Sequence, residues 1–155
     1  MNVGLVFMIF FCLILVSIAI FMPKKIKRAE LYATSAFAVA LGLSVDSILA
    51  LKYKFYTLLG EGVQWGPLFG QIILYASANM IILNYFPYHR SLLRKIIFII
   101  VITAITVIFE LLSKITGFIR YNEWNIWYSS LLYPFLILLL VWNMNIFRML
   151  VRKDK

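Results

Sequence analysis

Five apolar runs, each long enough to cross a bilayer and separated only by short connections, leave this chain few ways to fold. They are read as spans at about 3–22, 31–51, 67–86, 96–116 and 128–147. Roughly 20 residues at about 1.5 Å each cover the hydrocarbon core. So little sequence remains between the runs that no separate soluble domain fits, and residues 1–155 are expected to form one transmembrane domain. Hydrophobic residues make up 64% of the chain. A globule this small has too little interior to hide them, and a bilayer is the solvent that tolerates them. The expected fold is an all-α integral bundle of five helices. Pro134 falls inside the last run, where a membrane helix tolerates it, with or without a kink.

The charges sort by side. Eleven of the fifteen Lys and Arg fall at one set of span ends, in "PKKIKR", around Arg90–Lys95 and after Arg148. The other four, Lys52, Lys54, Lys114 and Arg120, fall at the opposite set. The positive-inside rule then puts the N-terminus outside and the C-terminus in the cytoplasm, which requires an odd number of spans. The first run has no basic residue before it and no small-residue cleavage site after it, so a retained anchor is expected. The net charge of +9 follows this topological pattern and does not point to nucleic acid. The cytoplasmic membrane is the expected location, with the lipid bilayer and a homo- or hetero-oligomer as partners. Tyr and Trp in "NYFPYH" and "YNEWNIWY" suit the two headgroup levels.

The acids also sort. Glu30 and Asp154 fall on the basic side, while Asp46, Glu61, Glu110 and Glu123 fall on or toward the other. Asp46 and Glu110 lie inside spans, both roughly 10 Å below the outer boundary at 1.5 Å per residue. Fourteen residues, apolar but for two threonines, precede Glu110. A charge at mid-bilayer costs about 2.5–3.5 kcal/mol on insertion scales, so such a group is expected to face other helices, water or a counter-ion. Thr103, Thr106, Glu110, Ser113 and Gly117 fall on one helical stripe, with Lys114 one turn beyond Glu110. Ala38, Gly42, Asp46 and Ala50 make a companion small-residue face, and Ala36, Ala40 and Ser44 a second one. Gly66 and Gly70 form a GxxxG pair, and Gln71, Tyr75 and Asn79 continue down that helix.

These placements imply a polar, outward-facing pocket. Asp46, Glu110, Gln71 and Asn79 are its candidate ligands, with Lys114, Arg120, Glu123 and Trp124 at its mouth. The rival reading makes the acids polar glue between helices, or partners of Lys114. Trp124 and Trp127 also suit the interfacial belt, with the pocket mouth as the alternative. No catalytic set is expected, because the lone histidine, His89, lies on the opposite side from the acids. The single cysteine, Cys12, has no nearby base and reads as a small buried hydrophobe. No metal-ligand spacing and no cofactor motif occurs. The expected role is non-enzymatic: a binding or permeation component for a cation, proton or small polar solute. An accessory subunit is the alternative, and a lipid-modifying enzyme a more distant one.

Several strings carry a resemblance: "AELYAT", Asp46 through "LKYKFY", "LNYFPYHRSLLRK", Glu110, and "GFIRYNEWNIWYSSLLYPF". Together they resemble a family of small five-span membrane proteins of spore-forming Gram-positive bacteria, across nearly the whole chain. The family has no assigned activity, so the resemblance implies a fold and transfers no catalytic residue.

Overall fold

The computed structural model describes residues 2–60, 62 and 64–153. Glu61, Asp154 and Lys155, which entered the charge pattern above, lie outside the described residues. Among the described residues, five helices are long and apolar enough to cross a membrane. They are α1 (Val3–Phe21), α2 (Arg28–Asp46), α3 (Trp65–Tyr85), α4 (Leu92–Ile115) and α5 (Ile126–Lys153). A π-helical turn, Ser47–Lys52, continues α2. The observed helices run past the apolar stretches mainly where basic residues flank them, as at Arg94, Lys95 and Arg148, whose long stems let the charge reach water.

Helix boundaries follow local chemistry. The Asn2 side chain accepts a hydrogen bond from the Gly4 N–H and caps α1. Pro23 ends that helix by holding Met22 extended. Pro67 sits in the first turn of α3, where an N–H has no helical partner to lose. Gly117, at φ +77°, closes α4. The Phe118 N–H reaches the Ser113 carbonyl at 2.9 Å and the Gly117 N–H reaches Lys114 at 3.1 Å. Those two bonds form a Schellman cap that turns the chain sharply out of the helix. α5 runs through Pro134 without a break.

An all-α bundle was expected, and one element departs from it. Strands β1 (Tyr56–Leu58) and β2 (Ile119–Tyr121) pair antiparallel, with Tyr56 opposite Tyr121 and Thr57 opposite Arg120. Three-residue strands are too short to leave a period in the sequence. The ribbon joins the α2–α3 and α4–α5 connections at one end of the bundle. The Phe55 carbonyl accepts from three successive N–H groups, those of Asn122, Glu123 and Trp124, at 2.9–3.2 Å. The Asn122 side chain donates to the Lys54 carbonyl at 2.8 Å.

The opposite end is tied separately. Glu30 of α2 accepts from Arg148 of α5 at two points, 2.9 Å and 3.2 Å. The Arg148 guanidinium lies 4.4 Å over the Tyr88 ring. Asn84 donates to the Pro23 carbonyl and accepts from the Lys25 N–H, fixing the α1–α2 connection to the end of α3. Nearby, Ile26, Leu31, Leu83, Phe86, Val141 and Met144 form an apolar core. A smaller core of Met8, Cys12 and Phe118 lies toward the ribbon. α1 packs on α3, α2 on α3 and α5, and α4 chiefly on α5. Much of α4, from Leu92 to Ile108, presents exposed aliphatic side chains as a lipid-facing helix does.

Candidate functional site

Between the ribbon and the inner core lies a cavity of about 230 Å³, and both Asp46 and Glu110 line it. Each carboxylate is held by three donors. Asp46, at the end of α2, accepts from the Tyr56 hydroxyl at 2.5 Å, and from Tyr75 and Gln71 of α3. Glu110 of α4 accepts from Tyr121 at 2.5 Å, Ser129 at 2.7 Å and Tyr133 at 2.5 Å. Trp124 extends this second set, its indole N–H donating to the Ser129 oxygen at 2.8 Å. Glu110 is only 4% exposed, whereas Asp46 is partly buried. A carboxylate has only acceptors when ionised, and three converging donors are what such an anion requires in a poorly solvated place.

The ribbon makes this arrangement possible. Residues directly opposite in an antiparallel pair put their side chains on the same face. The Tyr56–Tyr121 register therefore aims two phenols down from one roof, one to each acid. Burial, followed by the nearby carboxylate, pushes both phenols well above the ordinary tyrosine range, so both stay protonated donors. On the α3 side, Gly42 lets the Tyr75 ring lie against α2: a Cβ there would stand 2.6 Å from the ring. The π-helical turn starts immediately after Asp46, and such turns recur at functional sites.

The structure brings together Asp46, Glu110, Gln71, Asn79 and Trp124, all of which line the cavity. Asn79 is 1% exposed and donates to Thr34 and Ser35, but its Oδ1 has no partner. Lys114, Arg120 and Glu123 lie at the ribbon end without lining the cavity, and all three are exposed. The pairing of Glu110 with Lys114, which belonged to the rival reading, is not formed. The Lys114 ammonium instead sits 4.6 Å over the Tyr121 ring, because Tyr121 occupies the space between amine and acid. Among the described residues, the one ion pair within 4.0 Å is Arg148 with Glu30. Described residues offer no cluster of three His, Cys, Asp or Glu for a metal.

A polar pocket was expected, and the cavity is polar chiefly at its roof, with Asn79 and Thr106 among the few polar groups elsewhere in its lining. Below the acids its walls are mainly aliphatic, including Leu41, Ile82, Leu136, Ile137 and Leu140. Tyr56, Tyr121, Ser129 and Tyr133 were the missed residues. Tyr121 and Trp124 lie in a segment that reads as headgroup belt, yet both turn inward. A signal existed: Ser129 and Tyr133 are four apart, as are Gln71, Tyr75 and Asn79, so each set forms a stripe on its helix. The Ala36–Ala40–Ser44 row, by contrast, is exposed on α2, and the Ser44 hydroxyl bonds back to the Ala40 carbonyl at 2.7 Å.

No protein-family model, curated protein or solved structure matches this chain. Fold and composition define a class: a multi-pass helical membrane protein.

Proposed function

We propose that this protein is a non-enzymatic receptor site, within a membrane, for a small cation with apolar substituents. The observation that carries this reading is the pair of acids lining one cavity with no ion pair to either among the described residues. Two anionic groups beneath an aromatic roof favour positive charge, and tyrosine, tryptophan and phenylalanine faces add cation–π attraction. The aliphatic floor supports binding over permeation, since a bare ion passing below the acids would meet few ligands. The positive-inside rule supports a cytoplasmic membrane with the basic ends inside, which makes the ribbon and acids external. Kinship with the five-span family of spore-forming Gram-positive bacteria is part of the same proposal.

The test uses the full chain in lipid nanodiscs. Tetramethylammonium should raise the unfolding temperature in a concentration-dependent way, as any ligand selective for the native state does. Asp46→Asn and Glu110→Gln should each fold and lose the effect. Stabilisation that persists in both variants, or is absent in the wild type with proton, alkali and organic cations alike, contradicts the proposal.

One observation favours a second role, that of a subunit in a larger assembly. The exposed row Ala36, Ala40 and Ser44 lets another helix approach closely. Ala36→Leu with Ala40→Leu should then reduce the particle mass measured in detergent. An unchanged mass removes this reading and leaves the cation site as it stands.

A further inference from the structure

The acidic cavity has a neighbour on its flank. A groove of about 480 Å³ runs between the outer end of α2 and the first turns of α5. Val45, Leu49, Trp124 and Leu132 line both spaces, so these four side chains are the wall between them. The far side of the groove is formed by Ile48, Leu131 and Phe135, which are well exposed; Leu131 is 78% so. All three lie on helices long and apolar enough to span a membrane, and so face lipid. Trp124 is the polar member of the wall, its indole N–H tied through Ser129 to Glu110.

Charge and hydrophobicity therefore meet at one partition. On one side are two carboxylates, together with the buried Asn79 Oδ1 that has no donor. On the other is an apolar channel open toward the acyl region. Of the buried polar atoms without a partner among the described residues, the one in this cavity, Asn79 Oδ1, is an acceptor, which with the two acids calls for a donor or a cation, and the groove calls for hydrocarbon.

We infer that the occupant is a single-chain cationic amphiphile, its ammonium head beneath the tyrosine roof and its alkyl chain leaving through the Trp124 groove. This rests on the cation reading above and deepens it: the ligand reaches the site from within the membrane, sideways past α2 and α5. Burying each added methylene in the groove strengthens binding roughly fourfold until the chain emerges into lipid.

The experiment uses the full chain in nanodiscs and two probes. The first is a series of alkyltrimethylammonium ions from one to ten carbons, ranked by the free concentration that gives a fixed rise in unfolding temperature. The second is a long-chain member carrying a mid-chain diazirine, photolysed and mapped by mass spectrometry. Affinity should climb with chain length, and label should fall on Ile48, Leu131 or Phe135. Excess tetramethylammonium should displace it, and Asp46→Asn and Glu110→Gln should abolish it. Leu131→Ala with Phe135→Ala, on exposed positions that leave the core intact, should flatten the chain-length series and keep tetramethylammonium binding. If tetramethylammonium binds but affinity is flat with chain length, or label falls elsewhere, the amphiphile inference fails while the cation site survives. If no member of the series binds, both fail. Groove labelling that resists displacement and persists in the acid variants is plain partitioning and also overturns the inference.

Discussion

Each acid depends on side chains that carry no charge, and single substitutions separate their parts. At Gly42, any Cβ meets the Tyr75 ring at 2.6 Å, so the ring must leave the helix and take its hydroxyl from Asp46. Gly42→Ala should cost about 1–3 kcal/mol, the usual range for overpacking. It should also weaken cation-dependent stabilisation to the level of Tyr75→Phe, as read by thermal unfolding. Tyr88 offers a pH test at the other end. Its hydroxyl is buried without a partner, and burial pushes the phenol up to about 12 from an ordinary value of 10.0, with Arg148 pulling it down and Glu30 raising it further. As pH rises through 10 the unfolded chain loses this proton while the native state keeps it. Stability therefore falls between about pH 10 and 12. Tyr88→Phe should remove that part of the alkaline loss, and at neutral pH should be neutral or stabilising by up to about 1 kcal/mol. Melting curves at pH 7 and pH 11 check both signs. A neutral-pH loss above 1 kcal/mol would show that the hydroxyl has a partner after all.

Among the elements, the short ribbon and the long helices were unequally legible. Runs of some twenty apolar residues announce α1 to α5, because a bilayer selects for that length and the backbone must satisfy itself within the segment. The stripe through Thr106, Glu110 and Ser113 also gave the inward face of α4 correctly, and Ser113 is fully buried. The ribbon left no such trace. Its register depends on Gly117 closing α4 and on one carbonyl, that of Phe55, gathering three N–H groups, and neither has a periodic signature. Tyr121 was accordingly assigned to the interface, and Tyr56 was given no role. Crosslinking tests the register directly. Thr57→Cys with Arg120→Cys should form a disulfide on mild oxidation, since the two are directly opposite. Thr57→Cys with Asn122→Cys, two residues out of register, should form far less. Equal yields would mean the ribbon does not hold this pairing.

For the whole molecule, two ties at opposite ends enclose the cavity: the ribbon above the acids, and the Glu30–Arg148 pair with the Asn84 bonds below. Arg148→Met should cost about 1–2 kcal/mol, as expected for a partly exposed, two-point charge-assisted contact, without altering cation binding. Orientation is checked by labelling from outside. A cysteine at position 122 should react with an impermeant maleimide and one at position 90 should not, while Cys12 stays silent because it is buried. Counting residues along the spans put Asp46 and Glu110 at one level as an expectation. Their sharing of a single cavity was not legible, since that depends on how α2, α4 and α5 pack. Infrared difference spectroscopy on the reconstituted protein asks the central question with the fewest intermediaries. Adding tetramethylammonium should perturb carboxylate stretching bands, and those bands should vanish from the difference spectrum in Asp46→Asn and Glu110→Gln. A spectrum with no carboxylate change, or one unaltered by both substitutions, would contradict a cation site built on these two acids.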